Sequence, residues 1–124
     1  MIKYENANVT YTMDLNNVKK YIHLQATGFF TEEDGKSFIN DYNKIVKTFS
    51  TNDYKLIIDA SELKASTPQV ADILEVLLRR YIEVPFKQRY LVSKSITTKS
   101  QFRRLGSQIP GWDVEYVDDA KSLL

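Results

Sequence analysis

Asp59 ends a short apolar run, Lys55-Leu56-Ile57-Ile58-Asp59, which is where an α/β strand often places a working residue. Asp53 and Glu62 lie close to it in sequence. Three neighbouring carboxylates could share a proton in acid–base chemistry or hold a cation. The plainer use of Asp59 is to accept hydrogen bonds from backbone at the strand end. His23, the one histidine, falls on the outward phase of an alternating segment. It can act as a general base only if a carboxylate from another element approaches it. No Gly-x-Ser-x-Gly elbow offers a nucleophile beside it. A structural histidine exposed on a strand, and no enzymatic activity, is the expectation.

A second group is basic. Arg79, Arg80, Lys87, Arg89, Lys94, Lys99, Arg103 and Arg104 stand against Glu83 alone within residues 79–104. Arg79, Arg80, Arg89, Arg103 and Arg104 are the candidates for an anion patch facing phosphate, nucleic acid or an acidic partner. They span a helix end, a strand and another helix, so solvated cations on separate faces are the simpler expectation. A third feature is Phe29-Phe30, two consecutive aromatics in a loop. One can anchor the loop in the core, which leaves the other for a partner or ligand.

Several chemistries are excluded. There is no cysteine, which removes disulfides, thiol catalysis and Cys-based metal sites. A single histidine leaves no His-rich metal site, and no metal is expected. The four glycines, Gly28, Gly35, Gly106 and Gly111, form no phosphate-cradling loop, so no nucleotide cofactor is expected. The net charge of +1 gives no general pull toward nucleic acid. No apolar run approaches the roughly 18–20 residues that span a bilayer, and the N-terminal residues carry no apolar signal segment. A cytoplasmic protein without membrane insertion is therefore expected.

These residues need elements to position them. At 124 residues, with 43% hydrophobic and 27% charged side chains, the chain suits one domain over 1–124. Val9–Asp14 and Tyr21–Gly28 alternate apolar and polar and predict a β-hairpin turning at Asn16-Asn17. Thr31 caps a helix over 32–49, with Asp34 completing a capping box and Phe38, Tyr42, Ile45, Val46 and Phe49 facing inward. Residues 54–59 predict a central strand. Thr67-Pro68 starts a helix whose apolar face carries Val70, Ile73, Leu74, Leu77, Leu78, Tyr81 and Ile82 and which breaks at Pro85. A strand over 86–92, a helix over 98–109, a strand over 112–117 and a short last helix after Asp118 complete the order. The fold class is α/β, a mixed sheet of an N-terminal hairpin plus parallel strands packed with about four helices.

Three stretches carry a resemblance: Gly28-Phe29-Phe30-Thr31-Glu32-Glu33-Asp34, Lys55-Leu56-Ile57-Ile58-Asp59-Ala60-Ser61, and Gly111 to Ala120. Over residues 7–124 the chain resembles the STAS domain of sulfate transporters and anti-sigma factor antagonists, especially its small stand-alone bacterial forms. The resemblance implies a non-enzymatic regulatory or protein-interaction module, with binding of an apolar or anionic small molecule as the alternative. Regulatory members carry Asp-Ser-Ser-Gly, with a phosphorylated serine, between a central strand and the next helix. Lys64-Ala65-Ser66-Thr67-Pro68 matches that place without the aspartate and glycine. Ser66 and Thr67, with Ser61 and Asp59 behind them, are thus the phosphorylation or partner candidates that the resemblance implies.

Overall fold

The computed structural model describes residues 1–124. Its strands are β1 (Ile2–Glu5), β2 (Val9–Asn16), β3 (Tyr21–Gly28), β4 (Lys55–Leu63), β5 (Gln88–Val92) and β6 (Glu115–Val117). Its helices are α1 (Glu32–Ile45), α2 (Pro68–Glu83) and α3 (Ile96–Gly106). The six strands form one sheet in sequence order. The first three are antiparallel, and β3 to β6 run parallel with one helix in each crossover. Right-handed crossovers that always step the same way put all three helices on one face.

The alternation seen in sequence becomes a division between faces. Val9, Tyr11, Met13, Ile22, Leu24, Leu56, Ile58, Ala60 and Leu91 meet Phe38, Tyr42, Leu74, Leu77, Leu78 and Phe102 in the main core. Ile57, Tyr90 and Val92 point to the other face, where Tyr21, Val117, Ala120 and Leu123 cover them. That cover corrects the sequence reading. Residues after Asp118 fold as turns across the open face, so the helices number three rather than about four.

Other details also shift: α3 covers Ile96–Gly106 where 98–109 was expected, β4 runs on to Leu63, and β6 begins at Glu115 and not at residue 112. Ile2–Glu5 adds an edge strand that the sequence reading passed over. Helix α1 stops at Ile45 and tightens into a 3-10 turn over Val46–Thr48, short of residue 49. At the β2–β3 turn, Asn16 acts through its side chain, accepting from the N–H groups of Val18 and Lys19 at 3.0 and 2.8 Å. The positive φ of that turn, 60°, falls on Lys20 instead of the asparagines.

Candidate functional site

Parallel strands align their carboxyl ends, and the loops leaving β3, β4 and β5 gather at one end of the sheet. The β3–α1 loop begins at Gly28, whose φ is 98°. A Cβ there would lie 2.1 Å from the Asn8 carbonyl oxygen, so only glycine makes this turn. Beyond it the two phenylalanines divide as expected. Phe30 turns in against Tyr11 and Phe38, while Phe29 remains 42% exposed. Thr31 then caps α1, and the reciprocal bond from its own N–H to Asp34 completes the capping box. Asp34 also accepts from Tyr4 Oη and Asn6 Nδ2. Burial opposes ionisation of this carboxyl, but the Thr31 N–H and hydroxyl, Tyr4 and Asn6 together outweigh burial and hold it below the ordinary carboxylate range.

The β4–α2 loop is held from the side by α3. Gln101 accepts from the Ser66 N–H at 2.9 Å and donates to the Ser66 carbonyl at 3.1 Å. Thr98 donates to the Leu63 carbonyl at 3.1 Å. Thr67 occupies the N-cap position of α2 but its hydroxyl makes no capping bond, which corrects the expected cap. The Pro68 ring at the first turn already fixes the backbone and removes one donor. Ser66 and Thr67 are both half-exposed. Between these two loops, α1 and α2 lies an apolar cavity of about 50 Å³, lined by Leu24, Phe30, Phe38, Ile73, Leu77 and Phe102 among others. Phe30, Leu63, Ser66 and Ile73 on its rim are half-exposed, so it opens toward solvent.

Asp59 lies where β4 carries an extra residue relative to β3, between the pairs Gln25–Asp59 and Thr27–Glu62. It points to the open face, where its carboxylate accepts from Ser61 Oγ at 2.6 Å and from the Ser61 N–H at 3.2 Å. His23 Nε2 lies 2.9 Å from the second oxygen. The approach that the sequence required of a carboxylate is therefore met by Asp59. His23 is partly covered, with a side chain 15% exposed, where the sequence predicted an exposed one. Burial raises the Asp59 carboxyl, but bonds from His23 and Ser61 prevail and hold it below its ordinary value. Ser61 donates to the aspartate and not to the histidine, so these three groups lack the nucleophile–base contact of a hydrolase triad. Asp53 and Glu62 are exposed and take no part. No three ligating side chains converge as a metal site would need.

The basic candidates do not act alike. Arg89 leaves the anion patch altogether, because its phase on β5 aims it under α2. It is 8% exposed and donates to the carbonyls of Tyr81, Ile82 and Val84 and to both oxygens of Asp113. Arg79 pairs with Glu75, and Arg80 with Asn43 and Glu83. Arg103 stacks over the Tyr116 ring at 4.7 Å. Arg103 and Arg104 remain exposed on the last turn of α3. Sequence reasoning missed Gln101, since a single buried glutamine in a helix gives no signal until the loop it clamps is placed.

No family model and no curated protein matches this sequence. A solved structure does, an uncharacterized protein of the DUF3478 family with a SpoIIAA-like fold from Shewanella loihica PV-4. The two share 16% identity over 98% of this chain and 95% of that one, with a TM-score of 0.67. The chain thus has the SpoIIAA-like, that is STAS-like, fold that the sequence resemblance implied. No helix is long and apolar enough to cross a membrane.

Proposed function

We propose that this chain is a non-enzymatic regulatory or protein-interaction module of the STAS-like type, working in the cytoplasm of a bacterial cell through the loop end of its sheet. One observation carries this reading: a small apolar cavity is lined by Phe30 and Ser66, and Phe29, next to Phe30 in the chain, is exposed. The size of the cavity decides between occupants. A closed cavity of about 150 Å³ takes benzene, and this one has about a third of that volume. It suits one aliphatic side chain of a partner, with Phe29 as the adjoining contact. Support against an enzyme is chemical, because His23 and Asp59 pair with each other and have no nucleophile in line. The basic residues, largely paired or dispersed, give no reason to expect nucleic acid.

The cavity also favours a second reading, in which the occupant is the end of a small apolar ligand and α1 or Phe30 shifts to admit the rest. Affinity capture from the chain's own host, followed by mass spectrometry of proteins and small molecules, separates the two. The first reading expects a stoichiometric protein that is lost with Phe29→Ser. Recovery of a small molecule alone, retained in that variant, would transfer the conclusion to the second. Regulated phosphorylation belongs to the first reading. Ser66 and Thr67 are both candidate acceptors, since the N-terminus of α2 tolerates negative charge and neither hydroxyl is engaged in a cap.

A further inference from the structure

The unpaired edge of β1 carries its own complement. Asn6 donates its N–H to the Val9 carbonyl at 2.9 Å, in line with the β1–β2 register. That bond sets the phase of the antiparallel ladder: Asn6, Tyr4 and Ile2 turn their backbone groups toward β2. Lys3 and Glu5 turn theirs outward. An antiparallel partner on this edge must therefore hydrogen-bond through Lys3 and Glu5. If the partner is a second copy, three registers satisfy the ladder. One sets Lys3 opposite Lys3 and another sets Glu5 opposite Glu5, and like charges directly opposed are unfavourable. The third centres on Tyr4, sets Lys3 opposite Glu5 twice, and forms a hydrogen-bonded pair at each.

From this edge we infer that the chain self-associates through β1, as an isologous antiparallel pair in the Tyr4-centred register, which joins two six-stranded sheets into one. Lys3 and Glu5 are both well exposed, 60% and 64% at their side chains, and only 3.8 Å apart in the isolated chain. Neither is committed elsewhere in the fold. Tyr4, already stacked on Tyr11 at 4.7 Å, meets its symmetry mate on the helix face and extends that aromatic layer. The strand contains no proline and its pairing with β2 no bulge; what guards this edge is its shortness, four residues, and the charges of Lys3 and Glu5, which only a partner of complementary charge satisfies. The pairing uses the outward backbone and side chains of Lys3 and Glu5, neither of which lines the loop-end cavity, although Tyr4 and Asn6 of the same segment donate to Asp34 at the start of α1.

Sedimentation velocity of the full chain, from micromolar to millimolar protein, tests it. The wild type shows a concentration-dependent dimer. Lys3→Glu and Glu5→Lys each create two like-charge oppositions and weaken association by about tenfold. An equimolar mixture of the two variants restores it, because each then faces its opposite, and so does the double variant K3E/E5K. Both positions are exposed, so at dilutions where the wild type is monomeric each substitution leaves the thermal midpoint unchanged. A wild type that stays monomeric throughout, or single variants that associate as the wild type does, would overturn the proposal. So would a mixture no tighter than its components.

Discussion

Arg89 and Asp59 are charged and buried, and each is tolerable only because its surroundings supply the missing solvent. For Arg89 the surroundings are the carbonyls of Tyr81 and Ile82 in the last turn of α2, which have no helical partner of their own, and that of Val84 just beyond it. Replacing Arg89 with Met leaves those carbonyls unsatisfied and is expected to cost about 2–4 kcal/mol in urea denaturation. Asp113→Ala, at a 59% exposed partner, should cost less than about 1 kcal/mol. Equal losses would mean that the ion pair, and not the carbonyl cap, is what matters. Asp59 and Asp34 make the acid side of the stability curve. Both are held below their ordinary values when folded. The stability they confer is full above the unfolded carboxylate pKa of about 4 and is lost as pH falls through the folded values. Asp59→Asn and Asp34→Asn should each flatten that acid decline in thermal midpoint. A decline of unchanged steepness in both variants would assign it to other carboxylates. Capping by Asp59 was legible in sequence because it is local. Its meeting with His23 was not, because it depends on the β3–β4 register, a relation between residues 36 apart.

Helices α1 and α2 illustrate what one missing methyl does for an element. A glycine inside a helix usually costs about 1 kcal/mol relative to alanine, and sequence alone reads Gly35 as a mild defect. In the fold Gly35 is the point where α1 meets α2. A Cβ there would lie 2.9 Å from Ile73 Cγ2, closer than real contacts allow. Gly35→Ala therefore sets the propensity gain against overpacking of roughly 1–3 kcal/mol and should destabilise on balance. Combining it with Ile73→Ala removes the obstructing methyl, and in that background Gly35→Ala should become neutral or stabilising. Denaturation midpoints of the four proteins measure this coupling, and additivity would show that the two helices do not press on each other here. Most elements were readable because their signals are periodic or local: the capping box at Thr31, Pro68, and the leucine stripe of α2. Strand β1 was not, since four residues are too few for alternation to register. The expected last helix failed for a different reason. Asp118 pairs with Lys99 at 2.8 Å and does not cap a helix, while Ala120 and Leu123 face the sheet.

At the scale of the whole molecule, three crossovers in one direction leave a sheet clothed on one side only. The helix side holds a continuous core of 23 buried residues, and the other side a cluster of three, Ile57, Tyr90 and Val92. Those three cannot face water without forfeiting burial worth roughly 1.5–3 kcal/mol each. The segment beyond β6 supplies the cover, with Ala120 and Leu123 over the cluster and Lys19 of the β2–β3 turn donating to the Leu124 carbonyl. The two faces should therefore respond differently to the same kind of truncation. Leu77→Ala, at a buried position among helices, should cost about 2–5 kcal/mol and lower the midpoint of the entire transition. Leu123→Ala removes a half-buried side chain and should cost about 1 kcal/mol. Its consequence should be local: amide exchange should quicken in β5 and β6, beneath the lost cover, and stay slow in β2 and in α2. Uniform quickening across the sheet would show instead that the tail is part of the global folding unit, with the open face depending on it as fully as the core depends on α2.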